Sequence, residues 1–289
     1  MRVLFGAAFL LALNLGTAQT VFAQSVSLSA GVDYSSGDYG TDDRTDILFA
    51  PMSARVSFGD FTLRASIPFL SVDGPGDVIP GDGGPILTDT CARIQFTRPV
   101  LFERFCQEED TLALGDDGSA SGLGDIVLGV SYTLPEEITG DFGLTFEGRI
   151  KLPTADEEQA LGTGETDVAL SVDLAWYGGL ITPFATLGYR FLGDPTFTDE
   201  LGDFTVDLQD GFTASAGLSI PLGKRSTLTF AYDYLERSAS TVEDVHELYG
   251  GLSVPLSDAW SITGYGVAGL TNSSPDFAVG LSLRFRFRR

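Results

Sequence analysis

Hydrophobicity along this chain alternates with a period of two, and the alternation comes in segments of about a dozen residues separated by turn-forming residues. Between Gly122 and Tyr177 the pattern is plainest. Ile126, Leu128, Val130, Tyr132 and Leu134 fall on one face, against Asp125, Gly129, Ser131 and Thr133 on the other. Phe142, Leu144, Phe146, Ile150 and Leu152 repeat this against Thr145, Glu147, Arg149 and Lys151, and Val168, Leu170, Val172, Leu174 and Trp176 against Asp167, Ala169, Ser171 and Asp173. Successive side chains of a strand point to opposite faces, so these are three strands. No run of 18 apolar residues follows the N-terminal segment, so a mature chain that crosses a bilayer must do so as a closed barrel, the form that leaves no backbone group unpaired in lipid.

The same alternation predicts nine further strands, over 25–36, 45–58, 61–72, 180–192, 205–221, 227–238, 244–256, 260–270 and 276–287. The connections at 59–60, 135–140, 178–179, 222–226 and 257–259 are short. Those at 37–44, 73–121, 154–165 and 193–204 are long and acidic, while 239–243 and 271–275 are compact. Twelve strands, alternating short and long connections, and both ends on the short-turn side specify an all-β, antiparallel up-and-down transmembrane barrel of bacterial outer-membrane type. Pro51 and Pro68 interrupt the second and third strands; proline gives no ladder donor, so a bulge or local edge is expected there.

Residues 1–23 read as a signal peptide, with Arg2, an apolar stretch from Leu4 to Leu15, and Val21-Phe22-Ala23 at the cleavage site. The rest, 24–289, is a single barrel domain with one long acidic loop at 73–121. Losing the leader removes one arginine and no acid, so the 17 Lys+Arg become 16 against 40 Asp+Glu and the net charge moves from -23 to -24. That charge excludes electrostatic binding of nucleic acid. A hydrophobic content of 43% argues against disorder.

The polar phase carries charges of both signs: Arg55, Arg64, Arg149, Lys151, Arg190, Arg284 and Arg286 against Asp33, Asp125, Glu147, Asp167, Asp173, Asp233 and Glu247. With the apolar phase turned to lipid, these residues line a wet lumen as a near-neutral lattice. Arg64, Arg149, Lys151 and Arg190 are expected to face Asp125, Glu147 and Asp167. Trp176, Trp260, Phe58 and Phe61 lie beside short turns and suit one interfacial girdle; Tyr34, Phe69, Phe191 and Tyr234 suit the other.

The loop at 73–120 holds ten acids, three arginines and both cysteines, Cys91 and Cys106. In an exported protein these two form a disulfide, which restricts the unfolded chain by about 3 kcal/mol in the entropic model. The loop either folds into the mouth as a plug or stands out as a surface flap. Its acids, with those of the other loops, lack the spacing of a calcium loop.

Catalytic chemistry finds no support. The single histidine, His246, has Leu248 at the next position on its face and shares the apolar phase, which leaves it without a serine nucleophile on its own strand. One histidine and two cysteines exclude the common zinc sites, and no nucleophile elbow, phosphate loop or dinucleotide fingerprint occurs. No catalytic residue, metal or cofactor is expected.

The chain resembles the outer-membrane protein family named for the meta-cleavage pathway of phenol degradation. The resemblance rests on Ser121-Gly122-Leu123-Gly124-Asp125-Ile126, Lys151-Leu152-Pro153-Thr154, Leu161-Gly162-Thr163-Gly164 with Thr166-Asp167-Val168, and more loosely Leu187-Gly188-Tyr189. Two positions depart from it: Ala155 stands where the family has glycine, and Arg288-Arg289 follow Phe287, which must then serve as the terminal phenylalanine read during barrel insertion. The resemblance implies passive transport of small hydrophobic or aromatic molecules across the outer membrane. The partners it brings are outer-membrane lipid and lipopolysaccharide, a small hydrophobic solute and the barrel-assembly machinery. The alternative is a structural or surface-binding protein whose lumen its own ion pairs close.

Overall fold

A computed structural model describes residues 25–39, 44–74, 78–81, 84–87, 119–157, 159, 161–199, 202–205, 207–223, 225–239 and 242–287. The leader, the Cys91–Cys106 pairing, most of the loop at 73–121 and Arg288-Arg289 lie outside them.

Twelve strands form one closed antiparallel barrel. They are β1 (Ser25–Gly37), β2 (Thr45–Phe58), β3 (Phe61–Asp73), β4 (Ser119–Leu123 continuing as Ile126–Thr133), β5 (Phe142–Leu152), β6 (Asp167–Trp176), β7 (Thr182–Phe191), β8 (Gly211–Leu222), β9 (Ser226–Leu235), β10 (Val245–Pro255), β11 (Trp260–Gly269) and β12 (Phe277–Phe287). Each pairs with its neighbours in sequence, and β1 closes on β12 from Val26 opposite Phe287 to Ser36 opposite Phe277. Closure removes both sheet edges.

The expected strand order is found, with one boundary corrected. β8 begins at Gly211 and not at 205, because Gly202–Thr205 pairs with Thr196–Asp199 in a separate hairpin within the loop after β7. The short turns use glycine where the backbone needs it: Gly59 (φ 54°) joins β2 to β3, and Gly140 (φ 63°) ends the single helical turn Glu136–Thr139 between β4 and β5.

The prolines and the bulge also belong together. Pro51 lies directly opposite Pro68. On the other side of β3 the register shifts by one residue between Leu123, opposite Phe69, and Val127, opposite Ser66. Gly124-Asp125 is the bulge, and Gly124 N donates to Pro68 O at 2.9 Å. Pro68 needs no ladder acceptor for an amide it lacks, so the strand can break its register here at little cost.

The apolar phase faces outward around the whole barrel. Leu170 is 53% exposed, Leu281 50% and Leu248 49%, values that no water-facing core would tolerate in such number. Most side chains of the other phase are covered or partly covered, while Arg284 and Arg286 near the end of β12 are exposed. Near the short turns Trp260 packs on Phe285 (ring centroids 4.7 Å) and Phe61 on Tyr132 (4.8 Å). Near the long loops Tyr34 meets Phe277 (6.0 Å) and Tyr189 meets Phe191 (5.0 Å) and Phe212 (4.9 Å). These are the two aromatic belts of a membrane barrel.

A charge placed on the outer face should therefore cost according to depth. Leu281→Arg, in the middle of β12, is expected to destabilise the barrel by about 2–4 kcal/mol, and Leu256→Arg, beside a short turn, by about 0–1 kcal/mol. Urea unfolding in phospholipid vesicles measures the difference; equal costs at the two sites would contradict the lipid-facing orientation.

Candidate functional site: the inner wall

Facing inward, the wall has three regions, each built from residues distant in sequence. The first is a polar knot near the long-loop end. Lys151, at the end of β5, is 2% exposed. Its ammonium lies 2.9 Å from Asp167 Oδ2 and 3.2 Å from Asp125 Oδ2, and donates to Thr163 Oγ1 at 2.7 Å. Asp125, on the bulge, accepts from the amides of Thr154 and Ala155 through Oδ1 (2.9 Å each), and Asp167 Oδ1 accepts from Gly193 N (3.0 Å). Thr154 Oγ1 in turn accepts from Ile126 N at 2.9 Å. A buried ammonium needs this many oxygens to replace its water shell.

Glycines make the room. A Cβ on Gly162 would come within 2.7 Å of Asp125 Oδ2, and one on Gly122 within 2.8 Å of Leu161 Cδ1. The knot thus ties β4, β5 and β6 to the loops at 153–166 and 192–195.

The second region is a row of arginine. Through the ladder pairings Arg286 lies level with Ser27, Ser27 with Arg55, Arg55 with Arg64, Arg64 with Gly129, Gly129 with Arg149, Arg149 with Ala169, and Ala169 with Arg190. Strands of a membrane barrel tilt by about 35–45°. Such a row therefore climbs the inner wall, from the short-turn end at Arg286 to the long-loop end at Arg190. Glu147 sits between two of its members, 3.8 Å from Arg64 and 3.7 Å from Arg149. Arg190 is buried, and its Nη2 donates to Glu236 O at 3.0 Å. Of the facing expected from the sequence, Lys151 meets Asp125 and Asp167, and Arg64 and Arg149 meet Glu147. Arg284 stands opposite Ser29 and Ser261.

Carboxylate and tyrosine make up the third region, on the other side of the barrel. Asp233 lies opposite Glu247 on β9 and β10. The rings of Tyr249 and Tyr265 are 5.5 Å apart, and Tyr265 donates its hydroxyl to Asp33. Both rings lie flat along the wall because glycine lies beneath them, Gly251 under Tyr249 and Gly280 under Tyr265. Lower on β6 and β7, beneath the upper end of the arginine row, Thr186 Oγ1 donates to Asp173 at 2.6 Å.

Above these regions the inward phase turns apolar. Ile47, Leu70, Val72 and Ala120 are buried, with Phe49 beside them, and three loop residues pack onto them: Tyr39 (0% exposed), Leu161 (1%) and Val242 (8%). Tyr39 takes φ 51°, rare for a bulky residue, and donates to Ser35 Oγ at 2.7 Å. Burial, with the carboxylates of Glu247, Asp46 and Asp276, pushes its hydroxyl up to about 12, so it stays a neutral donor.

The family model described as "Putative MetA-pathway of phenol degradation" matches residues 52–287. The chain belongs to this family. The motifs that carried the resemblance are the ones that meet in the polar knot: Asp125, Lys151, Thr154, Thr163 and Asp167, with Gly122 and Gly162 beneath them. None of the curated proteins matches the chain in sequence. Among solved structures it is similar to an outer membrane channel from Pseudomonas putida F1 (13% identity, TM-score 0.65, covering 93% of this chain and 97% of that one). It is also similar to the translocator domain of the autotransporter NalP from Neisseria meningitidis (11%, TM-score 0.50, 95% and 91%). At these identities the likeness shows the fold, a barrel of outer-membrane type.

His246 in this member of the phenol-degradation family lies on the outer face. Its Nδ1 is 2.5 Å from Tyr232 Oη, and Tyr234 packs on the ring at 5.2 Å. Ser274 Oγ touches only its backbone, accepting from His246 N and donating to His246 O. That arrangement fits a residue of the upper aromatic belt. No group of three or more His, Cys, Asp or Glu suited to a metal occurs among the described residues.

The apolar inner residues at the mouth are the part that sequence reasoning missed. The signal was present: Ile47-Leu48-Phe49-Ala50 and Pro68-Phe69-Leu70 break the alternation with continuous apolar runs, which mark strands that bury both faces.

Proposed function

We propose that the protein is an outer-membrane channel through which small hydrophobic, chiefly aromatic, molecules pass by diffusion. The observation that carries this reading is the inward-facing apolar cluster at the mouth: a pore for sugars or salts has no use for Ile47, Phe49, Leu70 and Val72 on the inner side of its wall, beneath Tyr39, Leu161 and Val242. The family, and the likeness to an outer membrane channel, support it. A monoaromatic hydrocarbon channel is also among the proteins of similar topology, at a TM-score of 0.48.

In this reading Arg55, Arg64, Asp125, Glu147, Arg149, Lys151, Asp167, Asp173, Arg190, Asp233, Glu247 and Arg284 line the path below that surface. The leader at 1–23 directs export, Cys91 and Cys106 pair, the assembly machinery inserts the barrel through its C-terminal strand ending at Phe287, and lipid and lipopolysaccharide cover the apolar belt.

The packing of Tyr39, Leu161 and Val242 into the apolar cluster at the mouth favours the rival reading, a structural barrel with a sealed lumen. Cells separate the two. Lipopolysaccharide keeps the fluorescent aromatic 1-N-phenylnaphthylamine out of intact cells, so cells making the protein should take it up several-fold faster than cells making an unrelated sealed eight-stranded barrel. Equal rates would favour the sealed lumen.

A further inference from the structure

The inner charges are sorted by depth, and the ladder pairings show it. Close above the Gly59-Asp60 turn Arg55 lies directly opposite Arg64. Arg284 and Arg286 stand near the end of β12 on the same side of the membrane. Arg55, Arg284 and Arg286 make no ion pair among the described residues, and Arg64 shares the one carboxylate of Glu147 with Arg149. Toward the mouth the sign reverses. Asp233 lies directly opposite Glu247, and Asp33, near the upper end of β1, has a tyrosine hydroxyl as its partner. No cation pairs with these three carboxylates among the described residues.

Like charges directly opposite on neighbouring strands are destabilising. Exchanging one arginine of the lower pair with one acid of the upper would have made two ion pairs. The exceptions to the sorting are tied down locally: Asp173 by Thr186 in the lower half, and in the upper half Arg149 by Glu147, Lys151 by Asp125 and Asp167, and Arg190 by the carbonyl of Glu236. Above the wall the loops add acids: Asp156, Glu157, Asp194, Asp210, Glu243 and Asp244.

We propose that the lumen is a bipolar electrostatic filter: Asp33, Asp233 and Glu247 oppose anions at the mouth, Arg55, Arg64 and Arg284 oppose cations at the base, and uncharged solutes meet neither barrier. The inference rests on the channel reading above and names the solute class within it, neutral aromatics in preference to their anions or cations. Fixed charges in a narrow, low-dielectric wall act over the whole bore.

A pore with opposite charge at its two ends rectifies. With the mouth side positive, cations enter through the carboxylate half and anions through the arginine half, and both accumulate in the middle. With the mouth side negative both are drawn out, and the middle empties. The full-length protein in planar bilayers should pass at least about twice the current at one polarity in 0.1 M KCl, where charges act over about 10 Å, and nearly equal currents in 1 M KCl, where they act over about 3 Å.

Two variants with folding checked by heat-modifiable gel mobility complete the test. Arg55→Glu with Arg64→Glu sets two carboxylates at the base beside the remaining Arg284 and Arg286; the asymmetry should fall, and the reversal potential in a KCl gradient should shift toward cation selectivity. Asp233→Asn with Glu247→Gln should shift it toward anions. Symmetric wild-type currents in 0.1 M KCl, no current at all, or reversal potentials that fail to move in opposite senses would overturn the filter. Uptake of 1-N-phenylnaphthylamine without asymmetry would sink the filter and leave the channel standing; no uptake would sink the channel.

Discussion

Replacing Lys151 with methionine should cost the barrel about 3–5 kcal/mol, because it leaves two buried carboxylates facing each other without a counter-charge. Methionine nearly preserves the volume of the stem, so the loss reports charge and not a cavity. The ammonium holds Asp125 and Asp167 together, 3.2 and 2.9 Å away. Each acid in turn fixes a loop backbone, through Thr154 and Ala155 on one side and Gly193 on the other. Without Lys151 the carboxylates must separate, take up protons or admit water, and each of these loosens the loop at 153–166. Denaturant unfolding in vesicles and the rate of proteolysis within that loop measure the two effects. Lys151→Met combined with Asp125→Asn and Asp167→Asn should recover most of the loss, since the amide oxygens still accept from the loop backbone. A single variant as stable as the wild type to within about 1 kcal/mol would mean that water, and not the lysine, neutralises the site.

That knot also marks the limit of what the chain discloses before folding. The strands were legible because lipid outside and water inside demand opposite chemistry on the two faces at every step, so a period of two persists along almost the whole chain. The residues of the knot were visible too, as short Gly-, Asp- and Pro-containing runs, but their meeting was not. Lys151 finds Asp125 only because the bulge at Gly124-Asp125 shifts the register by one residue beside Pro68, and a one-residue slip decides which face every later side chain takes. The arginine row was hidden for a related reason. Arg55, Arg64, Arg149 and Arg190 share a ladder level only once turn lengths and strand stagger are fixed, and a list of charges carries neither. The charges were therefore expected to form one neutral lattice; ion pairs join Lys151 to Asp125 and Asp167 and Glu147 to Arg64 and Arg149, while Arg55 and Arg284 low on the wall and Asp233 and Glu247 high on it stand outside any ion pair among the described residues. At the mouth, Thr205 alternates well enough to extend β8 on paper, yet it pairs with Thr196 in a local hairpin, the shorter loop to close.

Opening the mouth should have the other large effect. Tyr39→Gly, Leu161→Ser and Val242→Ser together are expected to raise single-channel current several-fold and to quicken 1-N-phenylnaphthylamine uptake. All three residues come from loops, and all three belong to the buried cluster that Ile47, Leu70 and Val72 form on the inner wall. Tyr39 does so at a left-handed φ that costs on the order of 1–3 kcal/mol and persists only where the surroundings over-determine it. Glycine there removes the strain and the ring at once. The ladder pairings of the twelve strands do not involve these side chains, so the barrel should keep its gel mobility while the loops lose their inward anchor. A current that stays at the wild-type level would place the barrier deeper, at the level of Glu147 between Arg64 and Arg149. The apolar surface at the mouth would then serve as a docking place for solute and not as the gate. A rise in current without a rise in aromatic uptake would separate the two roles the other way: removing the cluster would widen the entrance while stripping it of the surface that gathers hydrophobic solute.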